Sequence, residues 1–93
     1  MIRTIVLVPG EVTHGTKIPV PAALLEGKRI TRVLHALRVT VDFSGTTLTT
    51  ADVTSEASVH SDGDGIVLGT TDLTATDILV LVLEIDYEPG ITA

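Results

Sequence analysis

Residues 78–85 read Ile78-Leu79-Val80-Leu81-Val82-Leu83-Glu84-Ile85, and this run decides the fold. A β-strand with one wet face alternates apolar and polar side chains. Here six consecutive side chains are apolar before Glu84 interrupts, so both faces of the strand need cover. A chain of 93 residues can cover one face with its own second sheet and has little material left for the other. The simplest remaining cover is another copy of the same chain. Ile78, Val80, Val82, Leu79, Leu81 and Leu83 are therefore the first candidates for an interface.

Working outward, the length sets one domain, residues 1–93, with residues 1–21 able to extend as an N-terminal arm. A domain of this size buries only about 60–65% of its unfolded surface and is marginal alone. Small domains add disulfides, metals or partner subunits. The chain has no cysteine, which removes disulfides and thiolate metal sites and leaves oligomerisation. Threonine occurs fifteen times among many Val, Ile and Leu, and β-branched residues suit a pleated sheet. Phe43 and Tyr87 are the only aromatics, too few for stacking platforms that hold sugars or single-stranded nucleic acid. A net charge of −6 and a pI near 4.7 also speak against a nucleic-acid partner. Mean hydropathy is +0.47, yet no apolar run approaches the roughly 20 residues that span a bilayer. The stretch Met1 to Pro9 lacks the length and small-residue cleavage site of a signal peptide and reads as a first strand. The expected place of synthesis is the cytoplasm, with no membrane partner.

Ile2–Val8 is expected as a strand ended by Pro9-Gly10. Val12–Ile18 is a short second strand interrupted by Gly15, and Pro19 and Pro21 then mark an edge or loop. Pro21 to Gly27 suits one helical turn, with Pro near its start and Gly past its end. Lys28 to Phe43 carries two patterns. Ile30, Val33, Leu34, Leu37 and Val41 fit a helical stripe, whereas Val39, Val41 and Phe43 alternate with Arg38, Thr40 and Asp42 as in a strand. The second half reads as strand. The first half stays open between strand and helix, with strand favoured because Gly27 punctuates its start and no N-cap residue stands immediately before it. Ser44 to Thr47 is a turn, and a polar strand is expected around Val53 to His60. The two Asp-Gly pairs of Ser61-Asp62-Gly63-Asp64-Gly65 give the strongest hairpin signal. Ile66–Leu68 is a short strand, Ile78–Tyr87 the long last one, and Pro89-Gly90 closes the fold. A weak repeat at an offset of 25 matches Val41–Val53 with Ile66–Ile78. Its unit is strand, turn, Leu-Thr-x-x-Asp, strand, with the Leu plugging a core end and the Thr and Asp capping a turn. About seven short strands define an all-β fold: a small antiparallel β-sandwich or barrel, Ig-like or jelly-roll in style, with at most one short helical turn.

Chemistry-bearing groups do not form a recognisable set. His14, His35 and His60 lack the close spacing of metal ligands. Asp62-Gly63-Asp64-Gly65 resembles part of a calcium loop, but the twelfth position is Leu73 where a Glu is needed. Ser44, Ser55, Ser58 and Ser61 stand in no Gly-x-Ser-x-Gly elbow; Ser58, His60 and Asp62 alternate along one strand and read as a solvated face. Glu84, Asp86 and Glu88 share the end of the last strand, without the cleft a glycosidase uses. No Gly-rich phosphate loop precedes a helix. No catalytic residue, cofactor or metal is expected. Lys28, Arg29, Arg32 and Arg38 place four of the six positive charges within eleven residues. This basic island on an acidic body could meet the acidic last strand of a neighbouring subunit, so Arg29, Arg32 and Arg38 join the interface candidates.

The Thr-rich strands, the corner Gly69-Thr70-Thr71-Asp72-Leu73-Thr74-Ala75-Thr76-Asp77-Ile78 and the closing run Glu84-Ile85-Asp86-Tyr87-Glu88 resemble small all-β virion proteins of tailed bacteriophages, of the capsid decoration (cement) or head-fibre type. The resemblance covers mostly residues 38–88 and transfers no site residue. It implies a homotrimer at threefold points that clamps the major capsid protein of the virion. The alternative is a small ligand- or receptor-binding β-sandwich, such as a fibre tip or accessory module.

Overall fold

A computed structural model describes residues 1–42, 44–45 and 47–87. Seven strands lie among them: β1 (Ile2–Leu7), β2 (Ile18–Pro19), β3 (Arg29–Asp42), β4 (Thr47–Asp52), β5 (Ala57–Val59), β6 (Gly65–Leu68) and β7 (Ile78–Asp86). A one-turn helix, α1 (Ala22–Leu25), and a 3₁₀ turn at Thr54–Glu56 complete the inventory. The all-β expectation holds. The strands form two antiparallel sheets, one of order β1-β7-β3-β4 and one of order β2-β6-β5. The expectations at Phe43, Glu88 and Pro89-Gly90 lie outside the described residues.

The apolar run becomes the central strand of the larger sheet, between β1 and β3. Leu79, Leu81, Leu83 and Ile85 are each 0% exposed. They face the smaller sheet, which supplies the buried Ile18, Ile66 and Leu68, joined by Val20, Leu25, Val53 and Leu73. Full burial of such side chains contributes about 1.5–3 kcal/mol each, as an upper estimate. Three of the interface candidates, Leu79, Leu81 and Leu83, are thus consumed by the chain's own core and are not available to a partner. The alternate residues Ile78, Val80, Val82 and Glu84 point to the other side and stay half-buried.

The ambiguous segment is strand throughout. β3 runs from Arg29 to Asp42 against β7, with register shifts between Ile30 and Arg32 and between Val33 and His35. Each shift inserts one residue, as a β-bulge does. Residues paired with the inward row of β7 are therefore Ile30, Val33, Ala36 and Arg38, opposite Ile85, Leu83, Leu81 and Leu79. Their spacing is three, three, two. Two bulges in a strand thus imitate a helical stripe.

Residues 1–21 do not extend as an arm. β1 pairs along its length with β7, Ile2 opposite Glu84 and Leu7 opposite Leu79, and Ile5, Leu7, Ile18 and Val20 sit in the core. Burial of these four apolar side chains holds the segment on its own body. The expected strand Val12–Ile18 is reduced to one bridge between Val12 and Leu73 and the two-residue β2. Gly15, at φ +81°, turns the chain there, and its N–H donates to the Leu68 carbonyl at 2.8 Å. Pro19 sits on β2, an edge strand, where its missing donor costs no ladder bond. The expected polar strand at Val53–His60 divides into the 3₁₀ turn and β5, while β4 occupies Thr47–Asp52. All six residues of β4 are exposed, so it lacked an apolar alternation to reveal it. Leu48, 66% exposed, plugs nothing, whereas Leu73, 4% exposed, does. The two halves of the repeat are structurally different.

Candidate functional site

The larger sheet presents one face to its own second layer and leaves the other open. Antiparallel partners share a face, so the pairing fixes the rows of the open side. Ile2, Glu84 and Arg32 form one row; Thr4, Val82 and His35 the next; Val6, Val80, Leu37 and Asp52 the third. Ile78, Val39 and Thr50 follow, then Val41 and Leu48. Ile2, Val6 and Leu48 on these rows are 63%, 61% and 66% exposed. Val8, one step beyond Leu7, is 69% exposed. The open face therefore carries apolar side chains on all four strands, interspersed with Thr4, Arg32, His35, Thr50, Asp52 and Glu84. Such a patch marks an interaction surface in a small protein.

The charged candidates are placed differently. Arg32 Nη2 lies 3.3 Å from Glu84 Oε2 on the same face of the same chain. The acidic partner expected from a neighbour is thus met within the chain. Arg38 points inward and binds the buried Asp77, with Nη2 at 2.9 Å from Oδ2. Arg29 flanks the Gly63 turn. Lys28 lies 4.7 Å from the centre of the Tyr87 ring and 3.8 Å from Glu26 Oε2. The four cations are distributed over several surfaces and do not form one patch.

Asp77 is 0% exposed. Burial pushes its pKa up, but the Thr74 backbone N–H, the Thr40 hydroxyl and the Arg38 guanidinium outweigh that and hold it below the usual carboxylate value. This network fastens β3 to the turn that starts β7. At another corner Glu56 accepts from the N–H groups of Thr70 and Thr71 and from the Thr70 hydroxyl. Desolvation raises its pKa, and these bonds lower it further than that.

The histidines do not converge. His14 Nδ1 lies 2.7 Å from Asp72 Oδ1, His35 Nδ1 lies 3.3 Å from the Thr54 hydroxyl, and His60 Nδ1 accepts from the Asp62 N–H at 3.2 Å. Among the described residues no serine hydroxyl meets a histidine. His60, Asp62 and Asp64 bring potential ligand atoms within 4.8 Å of one another. The Lys17 ammonium already stands there, 2.6 Å from Asp64 Oδ1 and 3.4 Å from Asp62 Oδ2. Its hydrogen bond to Asp64 raises the Lys17 pKa despite some desolvation. A cation would have to displace that ammonium, so the cluster is a salt-bridged turn. Two open clefts border the body. One of about 500 Å³ is lined by Ile30, Val59, His60, Ser61, Asp86 and Tyr87 among others. One of about 310 Å³, beside β1, is apolar and lined by Val6, Val8, Pro9, Val12, Pro19, Pro21 and Leu24. Among the described residues no helix is long and apolar enough to cross a membrane.

Comparison with protein-family models, with curated proteins and with solved structures found no match to this chain. The open face was legible in the run at residues 78–85, but its full extent was not. Val6, Leu37 and Leu48 join it only through strand order, which no sequence pattern displays.

Proposed function

We propose that this chain is a non-enzymatic structural protein of a phage particle, a capsid decoration protein that oligomerises and stabilises the shell built by the major capsid protein. One observation carries the proposal: the open face of the four-stranded sheet, with Val6, Val80 and Leu37 at its centre, is rich in apolar side chains and left uncovered by the described residues. The resemblance of residues 38–88 to small phage virion proteins sets the context. Asp77 and Glu56 fit a structural role, since each carboxylate is engaged in hydrogen bonds that fasten a corner of the fold. Burial of apolar surface contributes about 25 cal/mol per Å², and repetition over many copies would multiply a modest gain per contact.

The test is sedimentation of the purified chain with assembled shells of its phage and with unassembled capsid subunits. Saturable co-sedimentation with shells alone, together with a higher temperature for shell disruption, is the expected result. A chain that stays at the top of the gradient beside assembled shells would overturn the proposal. The apolar groove beside β1 favours a second reading, a small ligand- or receptor-binding module. That reading predicts binding of a soluble ligand abolished by Leu24→Asp, with no change in shell binding.

A further inference from the structure

We infer that the open face of the four-stranded sheet is covered by a second copy of this chain, the two sheets stacking face to face about a twofold axis. This names the partner of the surface already described and rests on the proposed function for its biological setting.

Area is the first support. β1, β7, β3 and β4 contribute 6, 9, 14 and 6 residues. At about 3.3 Å per residue and 4.8 Å between strands, the sheet spans roughly 550 Å² in its plane. Side-chain relief raises the accessible surface above that flat value. Each copy then offers about 600 Å² and a pair about 1,200 Å², the lower end of specific interfaces.

Charge is the second. The chain carries −6, and two copies repel unless they meet where carboxylates are few. Glu84 on the open face is neutralised by Arg32 of its own chain. The two central rows, Val6–Val80–Leu37 and Ile78–Val39, hold only Asp52 at the β4 edge. A charged partner finds little complement there, and an identical apolar face does.

Shape is the third. β3 loses its β7 neighbour beyond Val39, yet continues to Asp42 paired with β4 alone. This two-stranded overhang helps draw the molecule out to 50 Å against 22 and 19 Å. An isolated hairpin is marginal in water. Its outward side chains, Val41 and Leu48, continue the open face. A twofold axis near Val80 and Leu37 lays each overhang across the Ile2–Val82 end of the other copy, and the contact is then isologous. A trimer, by contrast, needs two different patches per chain, and one large face is already consumed by the core.

The decisive measurement is solution mass by light scattering after size exclusion, across a dilution series, for the full chain and for Val6→Glu, Leu48→Glu and Ser58→Glu. All three sites are exposed, and circular dichroism verifies that each variant keeps its strand content. The expected result is twice 9.8 kDa for the full chain and for Ser58→Glu. The dissociation constant should rise about tenfold or more for Val6→Glu and for Leu48→Glu, because each puts a carboxylate into the apolar contact. A 9.8 kDa species at every concentration overturns the inference. So does a trimer mass, or a pair indifferent to both open-face substitutions. Shell sedimentation of the parent chain separates the two claims: a pair that fails to bind shells removes the decoration role and leaves the pair, whereas a single chain that binds shells overturns the pair and leaves that role.

Discussion

Asp77 is the charged residue that the fold buries in full among the described residues. It is fully buried, accepts from Thr74, Thr40 and Arg38, and stands where β7 begins. Loss of one member of such a buried set leaves the others unsatisfied, at about 2–3 kcal/mol. Asp77→Ala is expected to lower stability by that amount in urea unfolding at pH 7. The pH dependence has a definite sign. The folded pKa lies below the ordinary 3.8, so the contribution is complete above the unfolded pKa and disappears as pH falls through the folded one. Acid unfolding of the parent should therefore steepen below about pH 4, and Asp77→Asn should flatten that limb. An identical acid limb in Asp77→Asn would show that other carboxylates, such as Glu56, dominate. Gly65 has a different constraint. A Cβ there would stand 2.6 Å from the Ile18 carbonyl oxygen, because β2 and β6 approach closely. Gly65→Ala should lower the melting midpoint by several degrees, corresponding to about 1–3 kcal/mol. A midpoint unchanged in calorimetry would mean that β2 moves aside freely.

At the scale of elements, β7 and the β3–β4 overhang occupy opposite ends of one stability range. Amides of Leu79 to Ile85 sit between two partner strands with a buried face, so they should exchange only with global unfolding. Amides of Thr40 and Thr49 lie in a two-stranded overhang with exposed side chains, and should exchange through local opening well below the global free energy. Hydrogen exchange on the Val6→Glu variant reads this directly; equal protection of both segments would show that the overhang is not a separate unit. The same contrast explains what the sequence revealed. β7 was legible because six apolar residues in a row have few other readings. The Asp62-Gly63 turn was legible because Gly63 takes φ +76° between β5 and β6. β4 was not, since Thr47 to Asp52 bury nothing and β-branching alone did not separate strand from loop. β3 was readable only in its second half, because bulges at Thr31 and Leu34 put its inward residues three apart. The apparent repeat failed for a related reason: Leu48 and Leu73 share neighbours in sequence but one lies on a surface and the other in the core.

For the whole molecule the governing fact is an incomplete enclosure. A second sheet of three short strands covers one side of the four-stranded sheet, and the described residues leave the other side open, with no disulfide to add stability. Small domains in this position gain stability from association, and association makes the unfolding midpoint depend on concentration. For a paired native state that unfolds to two chains, each tenfold rise in concentration favours the pair by about 1.4 kcal/mol. Divided by an unfolding entropy of roughly 2.1 cal/mol/K per residue over both chains, this raises the midpoint by about 4 °C. The expectation is therefore a calorimetric midpoint that climbs by about 4 °C per decade for the parent chain. For Val6→Glu it should stay flat until the weakened pair forms. Ser58→Glu, by contrast, changes an exposed residue of the smaller sheet, away from the open face, and should leave the slope intact. A parent midpoint independent of concentration over two decades would mean that the chain folds and persists with its apolar face in water. The covering partner would then be a different protein, and the shell itself would be the first candidate.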